Sequence, residues 1–451
     1  MNAHRPPAWV QDAVFYQIFP DRFRRRDPGW PASGPATRDV LGGDLVGVRD
    51  AIPYLERLGV NALYLTPIFT ASSYHRYDTT DYYQVDPRLG GKGALADLVA
   101  ALHDREMRIV LDGVFNHASD RHPFFEDVVR GGSSSPYWDW FTVRGASVEK
   151  RPKPNYACWA GVPGMPEWNL RNPTVREYLL SVVRYWIEAL GIDGWRLDTT
   201  EYLPPDFVRE IYRVSHETRA ETYVLGEVMG LGTPWFRHDA LDGVMHYKLW
   251  ERLVAFFAEG RWDAERFVAS VLSIWHSYTE DGNAASMTLL GSHDKPRFLT
   301  LCDGDRRRLL LAATFLFTFP GAPAIYYGDE IGMQGGEDPD NRRPFPWQPE
   351  RWDDELLSRT RALALLRRRS DALRRGDLAF GMTEGRALTM ERRTPEEMVV
   401  VALNADPKDA AFVSLGDEGP YVDAIGGEPL PSRLTLAPLD AVVAYRRVEG
   451  S

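Results

Sequence analysis

The chain has 451 residues, enough for a barrel-sized core and a further domain. Its formal net charge is −11, with acids spread along the whole length, which excludes the basic footprint of a nucleic-acid-binding protein. Two cysteines, Cys158 and Cys302, exclude a disulfide framework, and no run is apolar and long enough to span a bilayer or, in residues 1–9, to act as a signal peptide, so a cytoplasmic protein with no membrane partner is expected.

Residues 14–19 form a short apolar run that ends at Pro20. Residues 46–58 have helical spacing and stop at Gly59. Residues 62–66 read as a buried strand, 94–105 as a helix and 108–114 as another buried strand. Continuous apolar strands separated by amphipathic helices signal a parallel sheet covered on both faces. From Ala118 to Met165 the period is lost among Gly, Ser, Pro and aromatic residues. A loop that long inside a compact domain is functional or a small subdomain. The alternation resumes with a helix over 173–190, whose Pro173 suits a first turn. Strands follow at 194–198, 223–228, 243–247, 286–290 and 324–327, with helices at 205–219, 264–278, 306–319 and 353–369.

These are about eight βα units, so the predicted fold is α/β, a (β/α)₈ TIM barrel with an insertion after the third strand. From about Gly376 the pattern changes to short alternating runs, such as 398–403 and 441–445, which read as an all-β C-terminal sandwich. The expected division is barrel over 1–117 and 169–375, insertion over 118–168, and β-sandwich over 376–451.

Four segments carry acids at strand ends: Asp112-Gly113-Val114-Phe115-Asn116-His117, Gly194-Trp195-Arg196-Leu197-Asp198, Gly226-Glu227-Val228 and Ser292-His293-Asp294. In a closed parallel barrel the C-terminal strand ends converge on one mouth. Residues two apart on a strand share a face, so Arg196 and Asp198 both point into that mouth, where the Arg charge would keep Asp198 ionised. A buried ion pair closing the core would explain that pair equally well. Glu227 ends the next strand beside apolar Val228 and Met229, which would raise its pKa as an acid catalyst requires. Asp294, His117 and His293 could hold substrate hydroxyls, while Asp112 reads as a structural tie to Arg196 or to a loop. Two carboxyls close together with a third beside them suggest glycosidic bond chemistry. Aromatic residues make up 12% of the chain and include 14 Trp; they suit stacking on sugar rings, although core filling accounts for most of them.

These segments resemble the α-amylase family of glycoside hydrolases (family 13), in the family's order, over about residues 9–347. The resemblance implies Asp198 as nucleophile, Glu227 as general acid/base and Asp294 as transition-state stabiliser. It places Arg196, His117 and His293 at substrate-contacting positions. Tyr74-His75-Arg76-Tyr77-Asp78 is similar to the segment that supplies a stacking Tyr77 and a His75 near the cleaved bond. Asp338-Pro339-Asp340-Asn341-Arg342 resembles the loop after the eighth strand, whose Asp338 and Arg342 bind the adjacent sugar.

The start, from Asp12 to Phe23, is similar to neopullulanases, cyclomaltodextrinases and maltogenic amylases. Met165-Pro166-Glu167-Trp168-Asn169 partly resembles their MPKLN segment, and Trp168 with Glu201 is expected on the acceptor side. Members of that subgroup usually carry an extra N-terminal β domain that helps form a dimer. This chain starts almost directly at the barrel, so a monomer or weak homodimer is expected. Many relatives hold Ca²⁺ with the Asn at position 116 and a His four residues after the nucleophile; here that position is Tyr202. The subgroup's N-terminal calcium loop would follow Phe23, where Arg24-Arg25-Arg26 stands. No cofactor and no catalytic metal are expected; a structural Ca²⁺ is left open, with Asn116 in a supporting role. The expected activity is α-retaining hydrolysis of α-1,4-glucans: maltooligosaccharides, cyclodextrins or pullulan-like chains. A glucanotransferase or trehalose-synthase-type isomerase on the same site is the near alternative. A non-catalytic sugar-binding homologue is the distant one.

Overall fold

The computed structural model describes residues 5–26, 29–31, 34, 37–150, 153–237, 240–416 and 419–448. Eight parallel strands make the main sheet: β1 Phe15–Ile18, β2 Ala62–Leu65, β3 Arg108–Gly113, β4 Gly194–Leu197, β5 Tyr223–Gly226, β6 Gly243–Val244, β7 Met287–Leu289 and β8 Ala322–Tyr326. Their order is β6-β5-β4-β3-β2-β1-β8-β7. An isolated parallel bridge between Met245 and Met287 brings the two ends of this row together. The predicted TIM barrel is therefore the observed fold.

Period-2 alternation sorts each strand into two faces. The inner face carries Phe15, Ala62, Tyr64, Val110, Tyr223, Leu225, Met287, Leu289, Ala322 and Ala324, which pack together as a core of their own. The outer face, with Leu63, Ile109, Leu111, Trp195 and Val224, packs against the surrounding helices. Moving up the inner face, the apolar layers give way to Gln17, Asp112 and Arg196 at the next inward positions. The site is thus the polar top layer of a filled barrel.

Local chemistry sets the helix ends. Asn172 caps Pro173–Leu190 through Thr174 N–H, and Gly191 ends it at φ +69°, a conformation that favours glycine. The single helix predicted over 46–58 is two, Leu45–Asp50 and Ile52–Leu58, because Pro53 sits in the first turn of the second and cannot continue the first.

Three further elements escape the sequence pattern. A hairpin of Phe69–Ala71 and Thr79–Val85 follows β2, with irregular register. The helix Tyr247–Leu253 follows β6 and widens into a π-helical turn over Val254–Ala258. The aperiodic stretch contains a nine-residue helix, Pro123–Gly131, whose Phe125 packs on Phe141 and Tyr156 with ring centroids 4.9 Å apart in both pairs. Phe125 packs within the insertion while Phe124 meets Tyr178 of the following helix, and nine residues are too few to carry a long-period signal.

In the C-terminal part, Glu397–Asn404 pairs with Ala387–Arg393 and Asp440–Arg447 inside a six-stranded antiparallel sheet. Alternate residues face opposite ways. Val399, Val401 and Leu403 join the main core, while Met398, Val400 and Ala402 pack against Val413 and Leu436 of a separate two-stranded sheet. Among the described residues, no helix is long and apolar enough to cross a membrane.

Candidate active site

Arg196, wholly buried on β4, organises the barrel mouth. Its Nη1 donates to Asp112 Oδ1 at 2.8 Å and to Asp198 Oδ1 at 2.8 Å. Its Nη2 lies 2.9 Å from Glu227 Oε1 and 3.9 Å from Asp294 Oδ2. One guanidinium thus meets four carboxylates drawn from four different strand ends. Asp112 is fixed further by Tyr64 Oη at 2.7 Å and Tyr77 Oη at 2.9 Å.

Four acids surround Arg196, and one further cation, Arg342, lies beside Asp294, so negative charge exceeds positive charge at the barrel mouth. Burial pushes Asp198 well above the usual carboxylate range, Arg196 pulls it back, and Glu227, Asp112 and Asp294 push it further up. Arg196 acts in the expected direction, favouring the ionised form of Asp198, but burial and the three other acids oppose it. Burial raises Glu227 too, against Arg196 and the Thr199 N–H, which donates to Glu227 Oε2 at 2.7 Å. Both acids are thus held above the ordinary carboxylate range, Asp198 in part by the charge of Glu227. Asp294 goes the other way: burial is outweighed by His293, Arg342 and Arg196, and its pKa falls.

Thr199 holds a left-handed backbone conformation, φ +44°. That is costly for a β-branched residue, and it aims the N–H at Glu227. Sequence reasoning missed it, since Thr gives no signal for such a conformation.

His293 is buried, stacked on Tyr77 with ring centroids 5.4 Å apart, and its Nε2 lies 2.9 Å from Asp294 Oδ2. Arg342 donates from Nε to His293 O at 2.8 Å and from Nη2 to Asp294 Oδ1 at 3.2 Å, and pairs through Nη1 with Asp338 at 3.0 Å. Burial pushes both His75 and His117 down to about 4, so both rings are neutral near neutral pH. His117 Nε2 lies 3.1 Å from Tyr77 O, and Asn116 sits behind it, its Nδ2 3.4 Å from His117 Nδ1.

Above this layer opens a cavity of about 370 Å³. Asp198, Glu227, Asp294, His75, Tyr77, His117, Asp338 and Arg342 line it together with Glu201. Arg196, His293, Asp112 and Asn116 lie beneath or behind that lining. Trp168 is not there, contrary to expectation. It is buried, stacks on Phe141 with ring centroids 4.9 Å apart, and donates to Tyr82 Oη at 3.2 Å. In the extended stretch from Met165, alternate residues face opposite ways, so Met165 lines the cavity while Trp168 faces the insertion's core. The wall is completed by Trp159, Tyr202 and Met229, none of which sequence reasoning placed there.

The donors at the family's calcium positions do not fit the ion. Tyr202 offers an exposed phenol. Glu201 accepts N–H bonds from Met229 and Gly230. After Phe23, where the N-terminal loop would begin, the guanidinium of Arg24 lies over Trp347, and the nearby carboxylate of Asp21 is already bonded to Arg22 and to the N–H groups of Leu41 and Gly42. Among the described residues no three His, Cys, Asp or Glu side chains gather at a point that would suit a metal.

A filled parallel barrel with paired acids at its C-terminal mouth is the architecture of a (β/α)₈ glycosidase. The chain matches the α-amylase catalytic domain over residues 17–355. It is 42% identical to a cyclomaltodextrinase of Geobacillus thermopakistaniensis, in an alignment covering 90% of this chain and 70% of that one. It is 38% identical to neopullulanase 2 of Thermoactinomyces vulgaris, covering 97% and 78%. It superposes on the ligand-free cyclic α-maltosyl-(1→6)-maltose hydrolase of Arthrobacter globiformis with a TM-score of 0.92 at 36% identity, covering 98% and 100%. The chain belongs to the α-amylase family of glycoside hydrolases, and it is an enzyme that hydrolyses α-glucans.

Proposed function

We propose that the enzyme cleaves α-1,4-glucosidic bonds of maltooligosaccharides, cyclodextrins or related α-glucans with retention of configuration. The observation that carries this reading is the shared guanidinium: Arg196 pairs at 2.8 Å with Asp198 and at 2.9 Å with Glu227 at the floor of one cavity. Two carboxyls that share one guanidinium suit a nucleophile and an acid/base acting on the same bond.

In this mechanism Glu227 enters protonated and protonates the leaving oxygen as Asp198 attacks the anomeric carbon. Arg196 favours the ionised form of Asp198 through a direct charge-assisted bond. Glu227, now a carboxylate, then takes a proton from water, which attacks the glycosyl-enzyme and releases the sugar. Asp294, held ionised by Arg342 and by contact with His293, faces the positive charge that develops on the sugar. Arg342 and Asp338 hold the neighbouring sugar, and Tyr77 offers a ring face.

The test is steady-state kinetics on maltotriose and β-cyclodextrin. Asp198→Asn and Glu227→Gln should each lose at least about a thousandfold in kcat. Wild-type rates in either variant would defeat the assignment. Products longer than maltotriose would make transfer, not hydrolysis, the main outcome.

A further inference from the structure

We propose that Gln17 is a positioning residue that fixes the tautomer of His293, so that the ring presents Nε2–H to Asp294 and to the hydroxyl oxygen of Tyr77. The inference rests on the reading of Asp294 as a site acid. Gln17 stands on the inner face of β1, buried, at the level of the barrel where the apolar layers stop. Its Nε2 lies 2.7 Å from His293 Nδ1. The carboxylate of Asp294 only accepts, so the proton belongs on Nε2, and Nδ1 then accepts from the Gln17 amide N–H. The single ring proton is then on Nε2, 2.9 Å from Asp294 Oδ2 and in contact with Tyr77 Oη.

Every following link then has one direction. Tyr77 Oη accepts from His293 and donates its own proton to Asp112 Oδ2 at 2.9 Å. Asp112 accepts from Tyr64 and Arg196 as well. The opposite tautomer would set N–H against N–H at Gln17 and a ring lone pair against the carboxylate of Asp294. Both contacts are unfavourable in a buried site.

The groups that face His293 are Asp294 and Tyr77 at its Nε2 and Arg342 at its carbonyl, with Asp112, Arg196 and Glu227 beyond. A donor at Nδ1 leaves that nitrogen without a proton. A ring with a single proton does not cancel the charge of Asp294 as an imidazolium would. A carboxylate in place of Gln17 would put acceptors on both ring nitrogens, draw a second proton onto the ring and weaken the field of Asp294 at the reacting carbon.

The experiment uses the full chain labelled with ¹⁵N-histidine, with the His293 signals assigned by their loss in His293→Gln. Near neutral pH the wild type should show an unprotonated Nδ1 and a protonated Nε2. Gln17→Glu should show both nitrogens protonated, with kcat on maltotriose down about tenfold or more and KM changed less. Gln17→Met, which keeps the side-chain length without a donor, should mix the two tautomers and lose less activity than Gln17→Glu. A wild-type proton on Nδ1, or an unchanged ring in both variants, overturns the inference. The ring signals are read whether or not the enzyme turns over. If Asp198→Asn stays active, the catalytic reading fails while the tautomer result stands; if the ring ignores Gln17 while Asp198→Asn is dead, only the present inference fails.

Discussion

Asp112→Asn probes how the site balances its charge. Asp112 is 1% exposed. It accepts from Arg196 Nη1 at 2.8 and 3.1 Å, from Tyr64 at 2.7 Å and from Tyr77 at 2.9 Å. Asparagine keeps one acceptor oxygen and turns the other into a donor that confronts these donors. Breaking a buried ion pair by removing one partner costs about 3–5 kcal/mol. Arg196 keeps Asp198 and Glu227 as partners, so the lower end, about 3 kcal/mol, is expected. Unfolding entropy of about 2.1 cal/mol/K per residue over 451 residues turns that into a fall in Tm of about 3 °C. The charge of Asp112 also helps to raise Asp198. Losing it lowers the pKa of Asp198, so the acid limb of kcat/KM, which reports loss of the nucleophile's proton, moves to lower pH. The assays are a thermal melt and a pH profile with an aryl maltoside. An unchanged Tm together with an unmoved acid limb would refute the charge balance described above.

Glu330 tests the same physics away from the chemistry. Burial raises it to about 7 despite hydrogen bonds from Tyr16 and Tyr54. A raised carboxyl contributes stability that is full below its ordinary value of 4.5 and is lost as pH rises through about 7. Glu330→Gln should therefore flatten Tm against pH across that window; equal slopes in variant and wild type would contradict this. Trp159→Ala should raise KM for maltotriose by up to roughly tenfold through lost ring contact, whereas Trp168→Phe should cost about 0.5–1.5 kcal/mol of stability with KM unchanged. The reverse pattern would restore Trp168 to the cavity. Thr199→Gly removes strain of about 1–2 kcal/mol at φ +44° and should leave Tm equal or higher; a large fall would mean that the side chain, not the backbone, matters there.

The barrel was readable because its strands are apolar on both faces and its helices are amphipathic. Short elements were not. The helix Pro123–Gly131 and the hairpin after β2 carry too few residues to show a period, and partners such as Trp186 for Phe69 and Tyr178 for Phe124 are distant in sequence. At the site, period 2 placed Arg196 and Asp198 on one face, and the geometry pairs them at 2.8 Å, Asp198 in the cavity lining and Arg196 just beneath it. The same rule applied from Phe15 reaches Gln17, the polar residue of an otherwise apolar stretch, but its partner His293 lies 276 positions away and meets it only because the barrel closes. Trp168 went astray for the complementary reason: without a period in the insertion, nothing marks which residues after Met165 face inward. The charge balance at Asp198 was out of reach because it sums four acids contributed by four strand ends.

Trapping the glycosyl-enzyme tests the central claim most directly. In the Glu227→Gln variant, α-maltosyl fluoride needs no acid to leave, while the second step lacks its base, so the covalent intermediate should accumulate. Peptide mass spectrometry should then find a maltosyl group on Asp198. A sugar on any other residue, or fluoride release with inversion and no adduct, would contradict the account.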